Sequence, residues 1–477
     1  MKSNQFTEDI LDIIEITSVA KLKKLENCSD ITIKRITYHI DDQYLTDRAE
    51  AYLKQYSCNS AFNYACQRLT QQCKQKQCNE CVINKYCNYY ISNLRSIKSK
   101  SKLNMIDLFC GAGGLSLGFT QEGFITCLAN DIEHCCIETY SHNHPETPRK
   151  NIIEGDINIL IRELKQLLKN QKIDIVVGGP PCQGFSMANR QRLIDDPRNK
   201  LYKSFVEVIK IVKPKFFVME NVKGMLSVVE QVKEDFTAAG YSVEAKILNA
   251  RDFGVPQNRE RLIYIGNRLG INNDLIFRDI QEETKTINKP VLKDALFGLK
   301  PLQASITKNA TEIKNDGSGA KISPSTMKSN TYITYINQGK VFPVVFNHKA
   351  RYNNPRDVEI FRRLNQGDKS DDPKIADIMP YVNRKEIFKD KYYKLENNKI
   401  CKTITAHMKF DCNMYIHPTQ ARGLTPREAA RVQSYPDDYY FKGPYTKTYM
   451  QIGNSVPPLL GRTIAKIIKK YLKKQGE

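Results

Sequence analysis

The sequence contains no tryptophan, is short of acidic residues and has no apolar run of membrane-spanning length. The last absence excludes a protein anchored by spanning helices, so no membrane partner is expected. The opening residues, MKSNQFTEDI, lack the pattern of a secretory signal, and we expect a cytoplasmic protein. Against 52 Asp and Glu stand 73 Lys and Arg, a formal net charge of +21 over 477 residues. This excess favours a polyanionic partner, nucleic acid first, although solvated surface lysines would give the same composition.

Fourteen cysteines are present, but they are clustered in a long chain and fit no small disulfide scaffold. The densest cluster is spaced C-x4-C-x2-C-x5-C within 15 residues and consists of Cys73, Cys78, Cys81 and Cys87. Four thiolates at this spacing can surround one metal centre, so we predict a metal site, either a 4Fe-4S cluster or zinc. Packed free thiols are the alternative.

The phrase CNECVINKYC in this array resembles the iron–sulfur loop of endonuclease III-type DNA glycosylases. The first gap is x4 where that family has x6, and Cys66 is a candidate substitute ligand because it precedes Cys73 by the x6 gap. No helix-hairpin-helix glycine motif precedes the array, so glycosylase activity is not implied. Apolar residues at helical spacings predict a helical extension over residues 1–100, and the basic stretch Ser96–Lys102 predicts a linker.

One loop carries a cysteine with the surroundings of a nucleophile. The apolar run Ile173–Val177 predicts a buried strand, and the glycines and prolines of Gly178–Ser186 end it. Cys182 would then lie at the carboxyl end of a strand, where α/β sheets place their chemistry. A thiolate is a good nucleophile near neutral pH, which makes Cys182 a candidate for covalent catalysis. The alternative is a tight turn with an inert buried thiol.

An earlier stretch has the pattern of a nucleotide-binding α/β unit. The apolar strand Asn104–Phe109 runs into the glycine turn Cys110–Gly114, and a helix follows. Because the turn is not spaced G-x-G-x-x-G, a dinucleotide is disfavoured. Asp131 follows a second strand, Ile125–Ala129, and Asp156 follows a short third one. Such carboxylates commonly bind ribose hydroxyls, which predicts an adenosine-bearing cofactor, although either acid alone could be a helix N-cap.

Two later strands carry charged residues at their ends. Glu220 follows the strand Phe216–Met219, where it would face the same cleft as the cysteine loop. Arg259 and Arg261 precede the strand Leu262–Ile265, and their spacing of two predicts that both point to one side. Paired guanidinium groups there suit a phosphate or a carbonyl oxygen. The alternatives are a helix cap or surface ion pair for the glutamate and a solvated edge for the arginines.

These residues lie in blocks that resemble the DNA cytosine-5 methyltransferase family. The blocks are DLFCGAGGLSLGF, GGPPCQGFS, ENV, QNRERLIYIG, RGLTPREAAR and QIGNSVPP, in this order. The resemblance, over residues 103–475, implies an α/β fold with a Rossmann-like S-adenosylmethionine-dependent methyltransferase domain and a smaller mixed target-recognition domain. The implied divisions are a helical N-terminal extension (1–100), the catalytic domain (103–270), the recognition domain (271–420) and a C-terminal part that completes the catalytic domain (421–475).

The resemblance also implies roles for individual residues. Cys182 would add to carbon 6 of cytosine, Glu220 would bind ring N3, and Arg259 and Arg261 would stabilise the cytosine O2 and orient Glu220. Ile132 stands where the family often has tryptophan, which implies a weaker face for adenine. The residues implied to line S-adenosyl-L-methionine, the methyl donor, are Phe109, Gly111, Gly113, Leu115, Asp131, Ile132, Asp156, Ile157, Pro181, Asn454 and Val456.

The recognition region is polar and irregular, but Tyr332, Tyr335, Phe342, Val344 and Phe346 could form strands in it. It is followed by a helix start with clear physical signals. Those signals are Thr425 at the N-cap, Pro426 in the first turn and Glu428 completing a capping box. Two arginines on that helix, Arg427 and Arg431, could pack the recognition domain or meet phosphate. A basic C-terminal helix over Ile464–Leu472 is expected to fold back beside the first strand, as the resemblance implies.

The function implied is methylation of cytosine carbon 5 in a specific sequence of double-stranded DNA, with the base turned out of the duplex. The chain would be the modification enzyme of a restriction–modification system, with a cognate restriction endonuclease as a partner, and would be a monomer. Cysteine after Pro-Pro favours carbon methylation, because amino-group methyltransferases of similar fold have an aromatic residue there. An RNA cytosine-5 methyltransferase and a non-catalytic DNA-binding regulator are the alternatives.

Overall fold

A computed structural model describes residues 103–144, 146–169, 171–181, 201–305, 307–308, 317–325, 328–342, 344–380 and 391–474. Several predicted features lie outside these residues. They are the helical extension over residues 1–100, the cysteines Cys66, Cys73, Cys78, Cys81 and Cys87, and the nucleophile candidate Cys182.

A twisted sheet with helices on both faces organises the chain, and in the described residues it has seven strands. They are β1 (Leu103–Leu108), β2 (Phe124–Asp131), β3 (Ile152–Glu154), β4 (Ile175–Gly178), β5 (Phe216–Asn221), β6 (Ser242–Asn249) and β7 (Glu260–Asn267). Their order is β3-β2-β1-β4-β5-β7-β6, with β1 to β5 parallel and β7 antiparallel to both of its neighbours. The predicted α/β fold class is confirmed.

Helices cover the sheet because its central strands are apolar on both faces. In β4, Ile175 and Val177 pack into one hydrophobic core and Val176 packs into the other, as alternation along a strand requires. The helices of this part of the chain are α1 (Gly114–Gln121), α2 (His134–Asn143), α3 (Ile157–Leu168), α4 (Leu201–Val212), α5 (Val229–Ala238) and α6 (Asn273–Lys285). Helix α6 shares the core of the sheet through Ile276 and Phe277.

The smaller region is built of short elements. They are α7 (Leu292–Leu296), β8 (Gly319–Pro324), α8 (Thr331–Ile336), β9 (Val344–Lys349) and α9 (Pro355–Arg363), with β8 and β9 paired antiparallel. Val344 and Phe346 lie in a strand, as predicted, whereas Phe342 lies ahead of β9 and in no strand. The strand prediction for Tyr332 and Tyr335 is wrong, because both lie in α8. The Asn330 side chain caps that helix by accepting from Ile333 N at 2.8 Å.

The C-terminal part of the chain returns to the sheet through α10 (Pro426–Val432), α11 (Tyr445–Asn454) and α12 (Pro458–Lys474). The predicted capping box of α10 is confirmed. Helix α12 packs against α1, and the expectation that it folds back beside the first strand is confirmed by their shared core with Met105. A Cβ on Gly118 would lie 2.3 Å from Arg462 N, so this close packing requires glycine. No helix in the described ranges is long and apolar enough to cross a membrane.

The arginines of α10 lie inside the protein. Arg427 donates to the carbonyl oxygens of Phe346, Pro436 and Tyr439, and Arg431 forms a buried ion pair with Asp437 at 2.6 Å. Of the two roles considered for these arginines, the structure therefore shows packing.

Candidate active site

The glycine turn after β1 has two faces with different surroundings. Phe109, Gly111 and Gly113 have positive φ angles of 52°, 54° and 79°. A Cβ on Gly113 would lie 2.5 Å from His144 Nε2, so this residue must be glycine to pack there. A Cβ on Gly111 would meet no described atom within 4 Å, so that side of the turn opens outward. The turn thus leaves backbone accessible at the carboxyl edge of the sheet.

Asp131, at the end of β2, holds this turn in place. Its Oδ2 accepts from Gly111 N at 2.8 Å and its Oδ1 accepts from Glu133 N at 2.9 Å. Burial raises the pKa of Asp131, while the amides of Glu133 and Gly111 oppose that rise. The carboxylate keeps unused lone pairs, because each oxygen can accept more than one hydrogen bond.

The second predicted acid, Asp156, caps α3 by accepting from Asn158 N at 2.7 Å and is exposed. Beside Asp131, the side chain of Ile132 is 69% exposed, whereas Ile157 is buried. An exposed apolar side chain next to Asp131, with the exposed Asp156 after the neighbouring strand, fits an adenosine-bearing molecule, since the base needs an apolar face and the ribose hydroxyls and the amino group need acceptors. The residues present therefore fit the predicted cofactor.

The loop between α11 and α12 closes the other side of the glycine turn. A Cβ on Gly114 would lie 2.2 Å from Ser455 Oγ and 2.3 Å from Val456 O, so the two segments touch. Asn454 is exposed next to this contact, and Val456 and Leu115 are buried in it. The C-terminal segment therefore packs directly against the glycine turn.

The start of the cysteine loop lies against β5. Asn221 Nδ2 donates to Pro180 O at 3.1 Å, and a Cβ on Gly179 would lie 2.9 Å from Glu220 Oε2. Pro181, the last described residue before Cys182, is exposed. Glu220 thus lies against the residue three positions before Cys182.

Glu220 is paired with Arg261. The Arg261 Nε lies 2.7 Å from Glu220 Oε1, and Arg261 Nη1 donates to Glu260 O at 2.8 Å. Both side chains are mostly buried but reach the surface. A carboxylate that is fixed at one oxygen, and whose other oxygen has no hydrogen-bond partner among the described residues, can meet a substrate group in a set orientation.

Arg259 does not share this arrangement. It is fully buried, and its Nη1 and Nη2 donate to Ile404 O at 2.8 Å and to Gly453 O at 3.0 Å. Burial lowers the pKa of this guanidinium. Alternation does not put the two arginines on one side because β7 begins at Glu260, after Arg259. The structure therefore brings together Glu220 and Arg261 and turns Arg259 inward.

Sequence patterns did not identify the polar side chains that hold the segment around Arg259 in place. Gln257 Nε2 donates to Gln433 Oε1 at 2.8 Å, and Gln257 Oε1 accepts from Ile404 N at 2.6 Å. Asn221, which holds Pro180, was also missed. Gln257 and Asn221 belong to recognised blocks, but the pairing of Gln257 with a residue 176 positions away has no signal in a single sequence.

Comparison with known proteins agrees with this architecture. Residues 103–470 match the sequence model described as C-5 cytosine-specific DNA methylase. The chain belongs to this family. The type II methyltransferase M1.HphI of Haemophilus parahaemolyticus is 33% identical over 408 residues, covering 82% of this chain and 91% of that protein. The type II methyltransferase M.XorII of Xanthomonas oryzae pv. oryzae is 36% identical over 392 residues, covering 78% of this chain and 86% of that protein.

A solved structure shows the same fold. It is described as a DNA modification methyltransferase encoded within a prophage (E. coli), and it matches with a TM-score of 0.61 and 27% identity. The match covers 78% of this chain and 100% of that one. Membership of the C-5 cytosine-specific DNA methylase family implies S-adenosyl-L-methionine as methyl donor, which the open glycine turn and Ile132 fit. In the described ranges, no group of three or more His, Cys, Asp or Glu side chains could hold a metal ion.

Proposed function

We propose that this chain methylates carbon 5 of a cytosine within one specific sequence of double-stranded DNA, as the modification enzyme of a type II restriction–modification system. The relatives named as type II methyltransferases support the biological role. The observation that carries the catalytic role is the Glu220–Arg261 pair, which lies against Gly179 at the start of the cysteine loop. A cognate restriction endonuclease is the proposed partner, and the enzyme acts as a monomer in the cytoplasm.

In the proposed mechanism, the protein makes an unreactive carbon nucleophilic. The Cys182 thiolate adds to carbon 6 of cytosine, which converts the ring to an enamine with electron density at carbon 5. Glu220 protonates or hydrogen-bonds ring N3 as charge develops, and Arg261 orients Glu220. Carbon 5 would then form its bond to the electrophilic methyl group that S-adenosyl-L-methionine supplies when bound, as the sulfur–methyl bond breaks and S-adenosylhomocysteine leaves. Loss of the carbon 5 proton and elimination of the Cys182 thiolate then restore the aromatic ring.

Arg259 is assigned a positioning role instead of the direct cytosine contact that the resemblance implied. Its hydrogen bonds to Ile404 O and Gly453 O join the segment before β7 to two other segments that pack against each other. The proposed cofactor site is formed by the turn residues, the strand-end acids and the C-terminal loop. Those residues are Phe109, Gly111, Gly113, Leu115, Asp131, Ile132, Asp156, Ile157, Pro181, Asn454 and Val456.

Transfer of labelled methyl from S-adenosyl-L-methionine to duplex DNA, to tRNA or to neither tests the reaction. We expect label in duplex DNA. Label in tRNA would make the chain an RNA methyltransferase, and label in neither would favour a non-catalytic regulator. Bisulfite sequencing of DNA from expressing cells then gives the target sequence.

Duplex DNA with 5-fluorocytosine in the target sequence tests the nucleophile. The fluorine cannot leave as the proton does, so the wild-type protein should form a covalent adduct, and Cys182→Ala should bind DNA without one. An adduct that persists in Cys182→Ala would assign the nucleophile elsewhere, with Cys110 the next residue to test.

We further propose that Cys73, Cys78, Cys81 and Cys87 bind one metal centre that stabilises the N-terminal segment. The support is the spacing of four thiolates within 15 residues. Anaerobic purification should yield iron with sulfide and broad visible absorbance for a 4Fe-4S cluster, or zinc alone for a zinc module. Absence of both metals, with folding intact in single Cys→Ser variants, would reduce the array to packed thiols.

A further inference from the structure

One surface turn follows closely after Ile404, a residue that binds Arg259. Ile404 O accepts from the buried Arg259, and a Cβ on Gly453 would lie 2.2 Å from Thr405 C. A short 3-10 helix, Ala406–Lys409, follows directly, and Phe410 comes after it. The turn His407–Phe410 therefore reaches the surface next to two segments. One carries Arg259, just before β7, and the other carries Gly453, near the end of α11.

The backbone of this turn is held firmly. Arg351 donates through Nη1 to Met408 O at 3.0 Å and through Nη2 to Phe410 O at 2.9 Å. The Met408 side chain is fully buried beneath the turn. A guanidinium that binds two carbonyl groups at once fixes the direction in which the neighbouring side chains project.

Phe410, whose backbone is held in this way, carries an exposed aromatic ring. Phe410 is 61% exposed, compared with 41% for Phe297 and 42% for Tyr335. Lys409 Nζ lies 4.9 Å from the centre of the Phe410 ring, and the His407 ring packs edge-on at 5.1 Å. An exposed aromatic residue on a backbone held at two carbonyl groups, beside a cation, matches the two things that DNA offers, stacked bases and phosphates.

We propose that Phe410 enters duplex DNA next to the target base pair and stacks on a base there while the cytosine is extruded. This inference rests on the proposed function, because an enzyme that acts on cytosine carbon 5 must take the base out of the stack. The ring replaces stacking that the duplex loses, and Lys409 meets the adjacent phosphate. Phe410 acts as a DNA-contacting residue and takes no part in bond making.

The test compares Phe410→Ala with Phe410→Tyr, which keeps the ring, and with Phe297→Ala, a matched loss of an exposed phenyl ring. The measurement is the single-turnover rate of covalent trapping on 5-fluorocytosine duplexes of the mapped target sequence. One duplex pairs the target base with guanine, and the other places it opposite an abasic site. Thermal melting confirms that each variant is folded.

On the paired duplex, Phe410→Ala should trap roughly 10-fold to 100-fold more slowly than wild type. Phe410→Tyr and Phe297→Ala should remain near wild type. The duplex with the abasic site should restore most of the rate to Phe410→Ala, because an unpaired base needs less help to leave the stack. Equal loss on both duplexes, or no loss on either, would overturn the inference. Failure of the wild-type protein to trap any duplex would instead overturn the proposed function.

Discussion

Glu220 and Glu428 each lie 2.7 Å from an arginine, Arg261 in the first case and Arg422 in the second. Glu428 receives both Arg422 Nη atoms and the Thr425 amide, and the whole group is buried. Glu220 is bound by Arg261 at one oxygen, and its side chain reaches the surface. A carboxylate with hydrogen bonds to both oxygens stabilises the fold, whereas one with an oxygen that accepts no hydrogen bond can bind a substrate.

The largest effect should come from Glu220→Gln, which keeps the shape of the side chain but removes its acid. We expect the single-turnover methylation rate to fall by about 10²- to 10⁴-fold, the range for loss of a general acid or base. Glu260→Gln is the matched control, because Glu260 is the exposed neighbour of Arg261 on β7. A similar loss in both variants would remove Glu220 from the reaction.

Glu428→Gln, in contrast to Glu220→Gln, should act mainly on the stability of the fold. Burial raises the pKa of Glu428, but the charge and hydrogen bonds of Arg422 lower it by more than burial raises it. The pKa of Glu428 therefore lies below its usual value. Removing this charge leaves Arg422 buried without a counterion, and the free energy of unfolding should fall by about 3–5 kcal/mol. Urea titration measures this, and Glu220→Gln should lose less stability, because the Glu220–Arg261 pair reaches the surface whereas Glu428 and Arg422 are fully enclosed. Equal midpoints for the two variants would contradict the distinction.

The histidines around the Glu428 group predict a pH dependence of stability. Burial lowers the pKa of His348 and of His417 to about 4, below the unfolded value of about 6.5. The unfolded chain therefore binds more protons between these pH values, and stability falls as pH drops from about 6.5 to 4. The loss should reach about 3 kcal/mol per histidine. His348→Asn and His417→Asn should each flatten the pH dependence of the urea midpoint, and an unchanged slope would contradict this assignment.

The smallest effect is expected from the exposed pair Lys223–Glu260, joined at 3.0 Å. Solvent screens such pairs, so Lys223→Ala should change the free energy of unfolding by less than about 1 kcal/mol and leave methylation unchanged. A larger loss in either measurement would mean that ion pairs along β7 cannot be ranked by their burial.

Local features of the sequence predicted local features of the structure. The positive φ angles of Gly111 and Gly113 follow from residues that tolerate them, although that of Phe109 does not, and the capping box of α10 follows from three residues in a row of four. The partners of Arg259 could not be predicted in this way. They lie 145 and 194 positions away, and nothing near Arg259 in the sequence distinguishes it from Arg261.

Tyr332 and Tyr335 show a second limit of sequence reasoning. Aromatic residues favour strands when they stand on a half-buried surface, which led to the strand prediction. The Asn330 cap and the buried hydroxyl of Tyr332, which donates to Arg431 O at 2.5 Å, favour a helix instead. Tertiary contact with α10 therefore overrode the intrinsic preference.

The backbone pairing near Arg259 sets a rule for exchanging recognition regions between relatives. Asn258 N donates to Cys401 O at 2.8 Å, and Cys401 N donates to Pro256 O at 3.0 Å. Cys401, which falls in the predicted recognition domain, is therefore joined by backbone hydrogen bonds to the segment just before β7. A chimera that carries another relative's recognition region should be joined ahead of Cys401, so that the host's own segment continues to seat Arg259.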